Sequence, residues 1–81
     1  MLRSTVYEFE SDTVALQFMR RALFVNGVRR VDREKLFSWR CRVVWAPEKG
    51  TLSGLLALLN EYGGECLGTR EAIQVKRLCA A

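Results

Sequence analysis

The chain predicts an α+β domain in the order β-α-β-β-α-β, with two helices packed on one face of a four-stranded antiparallel sheet. Three observations predict it. TVYEFE (5–10) and FSWRCRVVW (37–45) alternate side-chain character at the period of two expected of strands. DTVALQFMRRALFV (12–25) and TLSGLLALLNEY (51–62) place apolar residues at helical spacing. Asn26-Gly27, Pro47 and Gly63-Gly64 punctuate these segments at their ends.

The first strand places Tyr7 and Phe9 on one side and Val6, Glu8 and Glu10 on the other. Ser11-Asp12 then offers a side-chain oxygen to cap the first unpaired amides of a helix. That helix runs to about Val25, with Ala15, Phe18, Met19 and Ala22 as its buried stripe and Leu16 and Leu23 flanking it. Arg20 and Arg21 fall in its C-terminal half, where cations suit the helix dipole. Asn26-Gly27 ends it by supplying a left-handed position. VRRV (28–31) reads as a short edge strand and DREK (32–35) as a polar turn. LFSWRCRVVWA (36–46) becomes the long second arm of a hairpin, stopped by Pro47, which cannot donate into a ladder. The second helix is capped by Thr51 or Ser53 and buries Leu52, Leu55, Leu56, Leu59 and Tyr62. A last strand follows within 65–78, bulged or broken near Gly68, with Ile73 and Val75 inside and a frayed Cys79-Ala80-Ala81 end.

With the first and third strands adjacent at the centre, Phe37, Trp39, Cys41 and Val43 join Tyr7 and Phe9 beneath the helices. The open face then carries Val6, Glu8, Glu10, Ser38, Arg40, Arg42, Val44, Gln74 and Lys76. Glu8 and Glu10 lie beside Arg40 and Arg42, and opposite charges on neighbouring strands favour that pairing by roughly 0.2–1 kcal/mol each. Sheets of this topology that read RNA put aromatic rings on the open face to stack bases. This face has none.

Composition bounds function. Eighty-one residues make one domain. No apolar run approaches the ~20 residues of a membrane span, so no membrane partner is expected. The N-terminal MLRSTVYEFE has no apolar core of a secretory signal. Three cysteines, Cys41, Cys66 and Cys79, form an odd set without a close pair, the pattern of reduced thiols and a cytoplasmic chain. There is no histidine, which removes the commonest general base and metal ligand. Glu8 and Glu10 beside arginines stay ionised and suit a salt-bridged surface, not a general acid. The expectation is a non-catalytic chain with no cofactor.

The layout resembles the heavy-metal-associated domain of metallochaperones and cation pumps, a ferredoxin-like fold, over roughly residues 5–67. The matching features are the strand TVYEFE, a helix ending in NGVRRV, a hairpin, and TLSGLLALLNEYGGE before the final strand. That family binds soft metals through Cys-x-x-Cys in the loop after its first strand. Here the loop is Glu10-Ser11-Asp12-Thr13, without a thiol. The resemblance therefore implies the fold and a docking role, and no metal site. Acylphosphatases are similar in size and charge, but they need a phosphate-cradling loop at the same place. An acidic loop repels phosphate.

What remains is charge. Residues 20–42 hold eight basic against two acidic residues, +6, while the rest of the chain sums to −2. Arg20, Arg21, Arg29, Arg30, Arg33 and Lys35 fall at the end of the first helix and in the second strand and its turn. Gathered at one edge, they fit an acidic protein partner. Nucleic acid is the alternative, read through the same cations on phosphates, and self-association through an edge strand is a further expectation.

Overall fold

The computed structural model describes residues 1–71 and has the expected element order. Strands β1 (Arg3–Glu8), β2 (Val28–Arg33), β3 (Arg40–Trp45) and β4 (Glu65–Glu71) form one antiparallel sheet in the order β2-β3-β1-β4. Helices α1 (Asp12–Ala22) and α2 (Thr51–Glu61) form the second layer. This is the ferredoxin-like α+β arrangement, with β1 and β3 central. The expectations for Ile73, Gln74, Val75, Lys76 and Cys79 lie outside the described residues.

β1 and β3 pair with Tyr7 opposite Cys41 and Glu8 opposite Arg40. That register sends Thr5, Tyr7, Phe9, Cys41, Val43 and Trp45 to the helical side, where all are buried. α1 starts at Ser11, whose hydroxyl accepts from the Val14 amide at 3.3 Å. Its core residues are Ala15, Phe18 and Ala22. Phe18 stacks on Phe9 (4.7 Å between ring centroids), meets Tyr7 edge-on (5.4 Å) and faces Tyr62 beyond α2 (6.5 Å). At the far end of the core the Trp45 indole donates to Thr5 Oγ1 at 2.9 Å, and Thr5 Oγ1 also lies 3.0 Å from Thr69 Oγ1. A buried indole N–H needs such a partner.

Several expectations are corrected. α1 ends at Ala22, not Val25, because Phe24 and Val25 donate to carbonyls only three residues back and wind the chain out of the helix. β2 continues through Asp32 and Arg33, so the polar turn begins at Glu34. β3 begins at Arg40, and Phe37 and Trp39 are not core: they are 36% and 39% exposed. The chain turns just before β3, where the Arg40 amide donates to the Phe37 carbonyl at 3.0 Å, so the strand period does not extend to Phe37 and Trp39. Arg42 bonds Glu34 (3.1 Å) and Ser4 (3.2 Å), not Glu10, because the register sets Val6 opposite Arg42 and leaves Glu10 exposed beyond the strand. The Arg40–Glu8 pair forms as expected, at 2.6 Å.

α2 is also rotated from expectation. It buries Thr51, Leu55, Leu58 and Leu59 and leaves Leu52 and Leu56 about half exposed. Its N-cap is Gly50, at φ 85°, and Ser53 Oγ donates back to the Gly50 carbonyl. Thr51 is not a cap: its side chain is buried and its hydroxyl has no hydrogen-bond partner among the described residues. β4 carries the expected irregularity, since Val6 faces Gly68 while Tyr7 faces Cys66, leaving Leu67 as the extra residue.

Candidate docking edge

The basic segment is compensated by carboxylates from elsewhere in the chain. Arg21 reaches Glu61 and Tyr62 on and after α2, its guanidinium also lying 5.8 Å from the Tyr62 ring centre. Arg29 pairs with Glu48 at 2.8 Å. Arg30 pairs with Asp32 at 2.7 Å along its own strand. Arg40 and Arg42 hold Glu8 and Glu34 on the open face. Within residues 20–42, Arg20, Arg33 and Lys35 are exposed and form no ion pair among the described residues, as is also true of Arg3 and Lys49 outside that segment. Of the six residues expected at the basic edge, the structure thus engages Arg21, Arg29 and Arg30 internally. Such exposed pairs contribute at most about 1 kcal/mol and exchange readily.

The place of the other three follows from the sheet order. β2 is an edge strand, Arg33 ends it, and Lys35 stands in the turn that follows. α1 packs on β2 and β3. α2 lies toward β1, since Leu59 and Phe9 both close on Gly64. Arg21 faces α2, so Arg20, ~100° further round the helix, turns outward. Arg33 and Lys35 therefore lie at the β2 edge, while Arg20, on the side of α1 opposite Ala15, Phe18 and Ala22, points away from the sheet.

Sequence reasoning missed an apolar element beside Arg33 and Lys35. The hairpin tip presents Leu36, which is 85% exposed, together with the edge-on pair Phe37 and Trp39 at 5.4 Å. Arg40 lays its guanidinium 4.2 Å from the Phe37 ring centre. Cation–π contact of this kind fixes the ring against its neighbour. The sequence carried no mark of this, because the turn closed by Arg40 on Phe37 falls inside an unbroken apolar alternation.

Cys41, on the central strand β3, is not an activated nucleophile. Cys41 is buried among apolar side chains, and its thiol is pushed up to about 12, first by burial and then by the Glu34 charge. Tyr7 is likewise raised to about 12, mainly by burial. A thiol so placed holds no thiolate at neutral pH. Among the described residues no group of three Cys, Asp or Glu side chains converges to hold a metal ion. No helix among them is long and apolar enough to cross a membrane. The chain matches no family model and no curated protein.

The two buried acids set an alkaline limit. In the unfolded chain the thiol and phenol ionise from about 9 and 10, whereas the folded protein keeps both protonated to about 12. The folded state holds the extra protons, so stability is full below pH 9 and falls as pH rises toward 12. Urea denaturation at stepped pH should show a flat unfolding free energy from pH 7 to about 9, then a decline of a few kcal/mol. Cys41→Ala should begin its decline about one pH unit later, where Tyr7 takes over. A pH-independent midpoint up to pH 11 would contradict the burial of both groups.

Proposed function

We propose that the chain is a small, non-catalytic protein-interaction module, regulatory or inhibitory in kind, that docks an acidic partner protein along its β2 edge. The observation that carries this is the placement of the uncompensated charge. Arg33 and Lys35 stand unpaired at the β2 edge and Arg20 on the outer surface of α1, while the other cations of residues 20–42 are engaged by carboxylates. Arg30 and Arg29, with side chains 72% and 52% exposed, can exchange Asp32 and Glu48 for a partner's carboxylates. A charged rim of this kind sets association rate and partner choice more than affinity. Free thiols at Cys41 and Cys66 suit a reducing, cytoplasmic setting.

The test is capture from nuclease-treated lysate, quantified by mass spectrometry, with wild type against Arg20→Glu/Arg33→Glu/Lys35→Glu. Acidic proteins retained by wild type should fall by about tenfold or more with the triple reversal, because repulsion replaces attraction at three points. Equal recoveries on both baits would reject the edge.

A weak, sequence-tolerant nucleic-acid binder is the second reading. It is favoured by the exposed Phe37 and Trp39 rings beside Arg33, Lys35 and Arg40, a set that can stack bases while cations meet phosphates. With about three phosphates engaged, affinity for single strands should drop roughly twentyfold between about 50 and 200 mM salt. Absence of binding to DNA and RNA at the lower salt would dismiss this reading and leave the first standing.

A further inference from the structure

The β2 edge offers more than charge. In an antiparallel pair, alternate residues turn their backbone N–H and C=O toward the partner strand or away from it. Ala46 donates to the Gly27 carbonyl, and Glu34 donates to the Arg40 carbonyl. With Arg30 opposite Val44 and Asp32 opposite Arg42, the residues bonded to β3 are therefore Arg30, Asp32 and Glu34. Val31 and Arg33 point their amides and carbonyls outward. No strand among the described residues meets them. β2 also lacks proline, a common device for closing an edge.

A shelf overhangs this open edge. Around α1, Ala15, Phe18 and Ala22 face the sheet and Arg21 faces α2. At ~100° per residue, Leu16, Met19 and Leu23 lie roughly 150° from Arg21, on the flank turned away from α2. Because α1 packs on β2 and β3 and β2 ends the sheet, that flank stands above the outer side of β2. Leu16 and Met19 are only half-buried and Leu23 is 56% exposed. The helix therefore carries an apolar arc wider than its own sheet covers.

We propose that this groove takes an extended segment of the partner as a fifth strand beside β2. Its backbone would bond Val31 and Arg33, its apolar side chains would lie against the Met19 and Leu23 flank of α1, and its carboxylates, on the open face, would meet Arg30. Main-chain bonds along an open edge give affinity, and alternate side chains give specificity. The occupant is a different, acidic chain and not a second copy. β2 holds Arg29, Arg30 and Arg33 against Asp32 alone, so pairing two β2 strands would bring like net charges together.

This inference rests on the acidic-partner reading, and one experiment separates the two. The probe is a capped synthetic peptide of about seven residues alternating Glu and Val, a typical strand length. The comparators are the same composition with glutamates and valines in separate blocks, and a Lys–Val alternating peptide. Nuclear magnetic resonance follows amide exchange in the full chain. Saturation with the Glu–Val alternating peptide should slow exchange at Val31 and Arg33 by about tenfold or more, with little change at Asp32, which is already bonded. Leu23→Glu, at an exposed site, should abolish this protection. So should Val31→Pro, which removes an outward donor and no ladder bond; an unchanged thermal midpoint would show that this variant folds. Equal binding of the alternating and blocked acidic peptides, without protection, overturns strand addition and leaves charge docking intact. Binding of neither acidic peptide overturns strand addition, and preference for the Lys–Val peptide overturns both readings. Protection of Val31 and Arg33 that grows with protein concentration alone would make the occupant a second copy and overturn the proposal.

Discussion

Phe18→Ala should lower the unfolding free energy by about 3–5 kcal/mol. The ring is fully buried at the centre of the molecule, meeting Tyr7 on β1, Phe9 just after it and Tyr62 at the end of α2. Truncation removes the transfer energy of the ring and leaves a cavity walled by rigid aromatics. Neither Tyr7, fixed on the central strand β1, nor Phe9, held just beyond it by the hydrogen bond from its amide to the Trp39 carbonyl, can swing in to fill it. An 81-residue domain has a total stability of order 4–12 kcal/mol, so the variant would be at or near the limit of folding. Phe18→Leu keeps most of the volume and should cost about 1–2 kcal/mol. Chemical denaturation of the three proteins measures the series. A loss below about 1 kcal/mol for the alanine variant would show that Phe18 is not the hub of this core.

Gly27→Ala should cost about 3 kcal/mol or more from two separable sources. Gly27 stands at φ 91°, where an L side chain costs roughly 1–2 kcal/mol. A Cβ there would also collide with Thr51 Oγ1 and come within 2.9 Å of the Ala46 carbonyl oxygen. Thr51 is buried in the first turn of α2, and Ala46 is bonded to Gly27 itself, so neither can retreat. Gly50→Ala is the control: its φ is 85°, but nothing lies within 4 Å of the added carbon, and only the backbone cost of roughly 1–2 kcal/mol should appear. Thr51→Ala in the Gly27→Ala background should return part of the loss. Equal effects at Gly27 and Gly50 would mean that the close approach between β2 and α2 is looser than described.

The legible parts of this fold were those fixed by local chemistry and strict period. Ser11 caps α1 because a serine before a helical stripe has few other uses. Cys41 is buried and Glu8 meets Arg40 because a period of two leaves only two choices for each residue, and the charges choose one. The period could not say what lies above each position. Phe37 and Trp39 therefore read as core, although the chain turns at that point and leaves both partly exposed. The Leu-rich run of α2 failed for the opposite reason. With leucines at 52, 55, 56, 58 and 59, several arcs are apolar, and only tertiary packing selects the one with Leu58 inside and Leu52 outside. Charge counting showed where cations are abundant but not which are engaged. Glu61 and Glu48 reach Arg21 and Arg29 across about 20 to 40 positions of chain, far beyond the spacing of local pairs. The reduction from six expected residues to Arg20, Arg33 and Lys35 is a product of folding.

The two tryptophans stand at opposite poles of this arrangement, and their optical behaviour should differ accordingly. Trp45 is sealed beneath the helices with its indole bonded to Thr5, while Trp39 rides on the hairpin tip against Phe37. The first emits from an apolar site inaccessible to a dissolved quencher and reports whether the chain is folded. The second emits from a wet one and reports what touches the tip. The protein thus carries, without any label, separate fluorescent signals for integrity and for occupancy.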